Sequence, residues 1–515
     1  MAHAKVEPDR GWDRRSKQRE SLMNLSSHSC LCLITVSMVL CSARAMAAPP
    51  IGAGQADLVP FFAEGAQPEQ GVLRIVESPG LRPAIATADR VVMRDVPLAP
   101  GLSVELGLHR VEVFTPNAKV VLGTAQGDVP LARPDIRMFA GHVSGRGDSS
   151  AFVSFVPGGV QGWVSLGGET FILSSGPKGG AGGLAVHSPR RLPPGKRRPS
   201  SFTCEADKLA LPVRVAKAGA VRPRGTPTGP SACRAAVLAI ETDYEFTGWL
   251  FGGDTEASGA YAATLIGAVS EIFMRDFNAS LSIGFLRLWD ADVDPWDQGG
   301  TLDQLFQFQD YWNANMTGEV RNAVHFLSGR GLGGGVAYLP GLCYPEYDYG
   351  LSANLAGYFP YPIENNHWAN WDLMVVAHEL GHNFGAPHTH DMAPPVDGCA
   401  FGDCSIVPNG TIMSYCHLCS GGLADVRMEI HTRSVYEAIL PTLDAMTFCD
   451  LVEPCDPVGD CNGDGVLDMA DVDCFVEVAL GQTPYNGPLQ RCDLVNDGTV
   501  NGIDAGPFVD AMLGM

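Results

Sequence analysis

The stretch HELGHNFGAPH, His378 to His388, holds three histidines and a glutamate at spacings that suit a metal ion. On a helix His378 and His382 lie one turn apart on the same face and can meet a single ion. Glu379 projects beside them, within reach of water at that ion, as a general base. Gly385 lets the chain turn, so His388 swings back as a third nitrogen ligand and the fourth tetrahedral position stays open, as catalytic zinc requires. Zinc lowers the pKa of water to about 7; Glu379 would take the proton, the hydroxide would attack a polarised peptide carbonyl, and the same acid would protonate the leaving amine. With 13 His and 60 Gly in 515 residues, three His and a Gly at these offsets arise by chance in roughly one such sequence per thousand, before Glu379 is counted. His390 is an alternative third ligand, but the spacing from Gly385 favours His388. His325, His367 and His417 share no ligand spacing with this segment and read as structural or exposed.

A second set of metal-binding spacings lies near the C-terminus. Asp460, Asn462, Asp464, Asp468 and Asp471 stand at offsets 1, 3, 5, 9 and 12, with Gly465 at 6 and the carbonyl of Val466 at 7. That is the oxygen-ligand pattern of an EF-hand-like calcium loop. A second copy about 33 residues on offers Asp493, Asp497, Thr499, Asn501 and Asp504, so the region is an internal duplication. Val495 at offset 3 removes one side-chain ligand there, and the expectation is a firm first calcium loop and a weaker second.

The elements that must position the histidines are legible as periodicity. AAVLAIETDYEF and LSIGFLRLWD read as buried strands around the amphipathic helix YAATLIGAVSEIFMRDF. Helix LDQLFQFQDYW, strands AVHFLSG and GGVAYL, a long helix from about Asn370 and a last helix SVYEAILPTLDAM follow, an α/β pattern with a mostly parallel sheet. Before them, residues 48–176 alternate in short apolar runs and read as β-rich. Residues 177–230 turn to Gly, Pro and basic residues, including Arg190-Arg191 and Lys196-Arg197-Arg198, and read as an exposed linker where cleavage could release the N-terminal part. The RGD tripeptide at Arg146-Gly147-Asp148 reads as a plain turn.

Acidic residues outnumber basic ones 57 to 35, for a net charge of −22; the resulting field repels nucleic acid and anionic membrane and suits calcium. Of 15 cysteines, most follow residue 200 in clusters, which points to disulfides formed in an oxidising compartment. The export route reads as a signal peptide over 1–47: basic residues up to Arg19, the apolar run Leu31 to Cys41, and small residues around Ala43, Ala45 and Ala47. That run falls short of the roughly 20 residues a spanning helix needs, so no transmembrane segment is expected in the mature chain.

HELGHNFGAPH matches the metzincin pattern HExxHxxGxxH, and TIMSYC, Thr411 to Cys416, resembles the Met-turn of the same clan. Met413 lies 25 residues beyond His388. The resemblance gives Met413 the role of an apolar floor under the metal and Tyr415 that of an aid at the oxyanion. Within the clan the chain, over residues 233 to 449, is most similar to the reprolysin or adamalysin-like (ADAM-like) group, and GGVAYLPGLC resembles its substrate-binding edge strand. The same likeness implies pairing of Cys343 with Cys449 and of Cys399, Cys404, Cys416 and Cys419 with one another. Cys204 then either pairs with Cys233, which parity favours, or caps zinc as the latency thiolate of a cysteine switch. The region before it is similar to the propeptides of reprolysin-like precursors, and the C-terminal duplication resembles a type I dockerin, which binds a cohesin-like or cell-surface scaffold.

The expected fold class is multidomain: a β-rich propeptide (48–176), a linker (177–230), an α/β metzincin catalytic domain with a mixed, mostly parallel sheet (231–450), and a small α-helical dockerin-like domain (456–515). The expected function is that of a secreted or cell-surface zinc metalloendopeptidase acting on proteins or peptides, made as a latent precursor. The competing class is a catalytically inactive, zinc-containing binding or adhesion protein with calcium-dependent anchoring, against which Glu379 speaks; esterase or amidase chemistry fits the full motif set less well.

Overall fold

The computed structural model describes the chain except for residues 1–54, 59–61, 65–70, 147, 158, 178–182, 198, 210–233, 362–369, 447, 450–458, 463–466, 483–490, 493, 495–499 and 514–515. The signal-peptide region, Cys233 and His367 therefore lie outside the described residues.

In chain order the strands begin with β1 (Gln55–Leu58), β2 (Phe62–Glu64), β3 (Val72–Glu77), β4 (Arg90–Ala99), β5 (Leu102–Val111), β6 (Phe114–Leu122) and β7 (Val129–Leu131). They continue with β8 (Arg137–Val143), β9 (Ser149–Val156), β10 (Gly159–Leu166), β11 (Glu169–Ser174), β12 (Leu184–His187) and β13 (Thr203–Cys204). The last five are β14 (Arg234–Thr242), β15 (Ala279–Leu288), β16 (Ala323–Leu327), β17 (Gly334–Ala337) and β18 (Tyr349–Ser352).

Ten strands form one sheet in the order β1-β4-β5-β8-β9-β10-β11-β12-β3-β2, and eight form a second in the order β13-β17-β18-β16-β14-β15-β6-β7. In the second sheet every pairing is parallel except β17 with β18 and β6 with β7, so the expected mixed, mostly parallel sheet is present.

A core helix, Thr255–Phe277, lies between the sheets. Asp254 caps it by accepting from the Ala257 N–H, and Asn278 closes it at φ 56°, satisfying end groups that have no partner inside the helix. It is buried nearly all round, as a helix apolar on every face must be, and Leu265, Val269, Ile272 and Phe273 are fully covered. It is also the one helix among the described residues long and apolar enough to cross a membrane, and 89% of that stretch is buried inside the protein. Strand alternation supplies its N-terminal contacts: Met138, Phe152, Trp163 and Ile172 face the helix, while Phe139, Val153, Val164 and Phe171 face the sheet's other side. At Gly267 a methyl would stand 2.8 Å from Met138 Sδ, so the absence of a side chain there sets the close approach.

Three expectations need correcting. The residues before 177 are not a separate body, because β6 and β7 complete the second sheet beside β15 and the core is shared. The exposed linker is shorter than 177–230: Leu184, Ala185, Val186 and Leu192 are buried, and β12 pairs with both β11 and β3. Leu-Ala-Val-His is a short apolar run, and its Gly-rich and basic surroundings masked it. The expected last helix is interrupted. Thr432–Ser434 leads into a π-helical turn, Val435–Ile439, and then Leu440–Ala445; Pro441 has no N–H to give, so the ladder shifts ahead of it.

At the C-terminus helices Met469–Ala479 and Ala505–Leu513 pack through Phe475 and Phe508, whose rings stack at 4.3 Å. The RGD residues are engaged internally: Arg146 pairs with Asp148 at 2.6 Å, and Asp148 is buried.

Candidate metal centre

The site helix, Asp372–Asn383, carries His378, Glu379 and His382. Its N-terminal end is fixed by the Asp372 carboxylate, which accepts from the Ala356 and Gly357 N–H groups and from the Tyr261 hydroxyl of the core helix. Its C-terminal end turns at Gly385, φ 101°, with the Ala386 N–H donating to Gly381. A methyl at Gly385 would also stand 2.6 Å from Thr442 Oγ1, so glycine is required by conformation and by space. That turn returns His388 to the helix.

His378, His382 and His388 are all buried. Their Nδ1 atoms face oxygen acceptors: Ile412 O at 2.7 Å, Ala386 O at 2.7 Å and Asp207 Oδ1 at 3.1 Å. Donation from each Nδ1 fixes the tautomer that leaves Nε2 bare. The Nε2 of His382 lies 3.1 Å from that of His378 and 3.1 Å from that of His388. Nitrogens about 2.0–2.1 Å from a tetrahedral zinc stand roughly 3.3 Å apart. Converging lone pairs at this spacing repel unless a cation sits among them, and burial, which lowers the pKa of His378 and His382, disfavours a proton on those two rings. The donor set therefore fits zinc.

Glu379 is buried beside the three rings, and burial pushes its carboxyl well up, the direction that readies a carboxylate to take a proton. A methyl on Gly335 of β17 would stand 2.2 Å from Glu379 Oε1, so this glycine makes room for the acid. Met413 is buried beneath the helix, its Sδ 2.7 Å from where a Gly381 methyl would stand, and its carbonyl accepts from the Thr389 N–H. The turn around Met413 thus floors the helix and ties down the chain after His388. Tyr415 packs against His388, ring centroids 4.8 Å apart, and burial raises its hydroxyl above the usual range. His390 stacks on the outer side of His388 and is absent from the converging group. His325 and His417 are structural, bonded to Ser352 and to the Phe202 carbonyl.

Among the described residues Cys204 is a free cysteine; Cys233, the partner that parity favoured, lies outside them. Its Sγ gathers with the ligand nitrogens of His378, His382 and His388 within 4.8 Å of one another and donates to Glu379 Oε2 at 3.3 Å. Burial, and then the nearby Glu379 charge, push the thiol well up. The segment around it forms a strap across the site. The Ser200 N–H donates to the His417 carbonyl, Phe202 packs on Trp371 at 4.7 Å, and Thr203–Cys204 pairs in parallel with Gly334–Gly335 at the sheet edge. Tyr415 donates its hydroxyl to the Cys204 carbonyl at 2.8 Å, and Glu205 accepts from Thr301 and from the Leu302 N–H. Asp207 is held below the usual carboxylate range, chiefly by its bond with His388. Sequence reasoning missed Phe202, Glu205 and Asp207, and the room that Gly335 of the edge strand leaves for Glu379, because no spacing relates them to the histidine motif.

The disulfides Cys343–Cys449, Cys399–Cys416 and Cys404–Cys419 surround the site, and Cys461–Cys492 joins the C-terminal helices' region. In the first acidic loop Asp460 and Asp471 are buried, and Asp471 accepts from the Asn462 and Asp468 N–H groups; Asp464 and Val466 lie outside the described residues. In the second, Asp504 is buried and accepts from the Asn501 N–H; Asp493, Asp497 and Thr499 lie outside. A cavity of about 400 Å³ lined by His109, His142, Cys474 and Glu477 lies elsewhere, between the ten-stranded sheet and helix Met469–Ala479.

Residues 232–422 match the family model Reprolysin_5, metallo-peptidase family M12, so this stretch is a reprolysin-like metallopeptidase domain. No curated protein matches the chain. Among solved structures the chain is similar to metalloproteinase-II from Bacteroides fragilis, at 11% identity and a TM-score of 0.34, over 68% of this chain and 90% of that one.

Proposed function

We propose that the chain is a zinc endopeptidase held latent by its own strap. The observation that carries the reading is the convergence of three bare Nε2 atoms beside a buried glutamate, with the Cys204 thiol on the open side. His378, His382 and His388 would hold zinc, which supplies Lewis acidity toward a scissile carbonyl and makes water acidic. Glu379 takes the proton from that water and returns it to the departing amine. The Tyr415 hydroxyl, now bonded to the Cys204 carbonyl, becomes free to donate to the developing oxyanion once the strap withdraws. The edge of β17, paired with Thr203–Cys204, becomes free to take an extended peptide substrate.

Latency is assigned to Cys204, whose sulfur gathers with the three ligand nitrogens within 4.8 Å and would take the place of water there. Export through the apolar N-terminal run agrees with four disulfides among the described residues. The C-terminal duplication is read as a dockerin-like, calcium-binding anchor for a cohesin-like or surface scaffold, supported by the ligand spacing and by the buried Asp460, Asp471 and Asp504. The test is casein hydrolysis by the full chain after proteolytic opening of the strap, beside Glu379→Ala and with a chelator. Cleavage lost in both controls supports the reading; no cleavage by a folded, zinc-loaded chain overturns it.

A further inference from the structure

The residues before the strap and the strap itself are held in different ways. β6 pairs in parallel with β15, Val120 opposite Leu286 and Leu122 opposite Leu288, so residues 114–131 are the outer strands of the sheet that carries the site. Met138, Phe152 and Trp163 are buried in one cluster with the core helix. Polar bonds, buried or partly buried, cross the same boundary. Ser154 and Thr264 share a hydroxyl bond at 2.7 Å, Ser174 donates to the Phe359 carbonyl, and Tyr361 donates to the Gly183 carbonyl. Arg287, buried against Glu241, also donates to Asp128 at 2.8 Å.

Removing these residues would expose an edge strand and one whole face of an apolar helix, and would leave the Arg287–Glu241 pair short of a carboxylate. The strap, by contrast, is held by a two-residue strand and a few side chains.

We propose that the residues before the strap, β1 to β12, are a permanent partner of the metal-binding part and are not shed on activation. Only the strap leaves, excised by cuts before Ser200 and beyond Leu209, and the product is a two-chain protein held without a covalent link. Each cut is a hydrolysis by an external protease: one amide C–N bond breaks, water's hydroxyl goes to the carbonyl carbon and its proton to the new amine. That excision unmasks a peptidase rests on the function proposed above; retention of the N-terminal chain does not.

The test uses the full chain carrying Glu379→Ala, to prevent self-cleavage, with site-specific protease sequences inserted after Gly195 and after Gly219. After cutting, native size-exclusion chromatography should show the N-terminal and C-terminal chains co-eluting in equal amounts, the strap peptide alone in the small-mass fractions, and separation of the chains only in denaturant. An N-terminal chain that elutes alone, with the remainder still folded by circular dichroism, overturns the proposal. Should the insertions disturb folding, native mass spectrometry of the unmodified chain after limited trypsin digestion reads the same complex, and its absence is equally decisive. The same cut with Glu379 intact should yield casein hydrolysis by the co-eluting pair. Co-elution with zinc bound and no hydrolysis supports retention and contradicts the peptidase reading.

Discussion

At the residue scale the chemistry rests on few atoms, and most of them were legible. His378, Glu379, His382, Gly385 and His388 stand out because a helix, a turn and a tetrahedral ion each impose a spacing that sequence preserves. Glu379→Ala should keep zinc and lower turnover by about 10²–10⁴-fold, the range for removing a general acid–base; metal analysis beside a peptidase assay checks both halves. Gly335→Ala should lower turnover while leaving the melting temperature nearly unchanged, since its methyl would collide with Glu379 Oε1 at 2.2 Å. Gly385→Ala should instead destabilise the fold, by about 1–3 kcal/mol for a residue forced into positive φ, read by chemical denaturation. Asp207 and Phe202 were invisible beforehand, because their roles come from a segment folding back more than 160 positions along the chain and no local pattern records that.

At the scale of elements, the strands and helices around the site followed from periodicity, and the strap did not. Thr203–Cys204 becomes a strand because β17 offers an open edge, a partner that propensity cannot report. Cys204→Ser should give the uncut chain weak casein hydrolysis, far below that of the strap-cut chain because the main chain at 203–204 still pairs with the β17 edge; a variant as inactive as the uncut parent would count against the Cys204 sulfur as the source of latency. The end of β14 offers a test of pH dependence. Asp243 accepts from the Phe246 and Gly329 N–H groups and from the Ser328 hydroxyl, and burial pushes its carboxyl up to about 7. The folded chain therefore keeps a proton that the unfolded chain releases near pH 4, and this group's contribution to stability falls as pH rises from about 4 to 7 and is level above that, with a slope of at most about 1.4 kcal/mol per pH unit. Asp243→Asn should flatten that part of the stability profile, measured by denaturation between pH 4.5 and 8.

At the scale of the whole molecule, composition suggested separable domains, and the N-terminal part proved to share both a sheet and a core with the metal centre. Alternation marked residues 48–176 as β-rich, but strands buried on both faces do not announce which second body covers them. Phe152→Ala, at the centre of that shared core, should cost about 3–5 kcal/mol, and one cooperative unfolding transition for both parts is expected in the parent chain. The central claim is a zinc ion used by Glu379, and the most direct measurement is casein hydrolysis by the strap-cut chain, stripped with a chelator, as zinc is titrated back. Activity should rise in proportion to zinc and saturate at one ion per chain, with no hydrolysis from Glu379→Ala although it takes up the same ion. Zinc bound one to one without hydrolysis, or hydrolysis indifferent to zinc, would contradict the account.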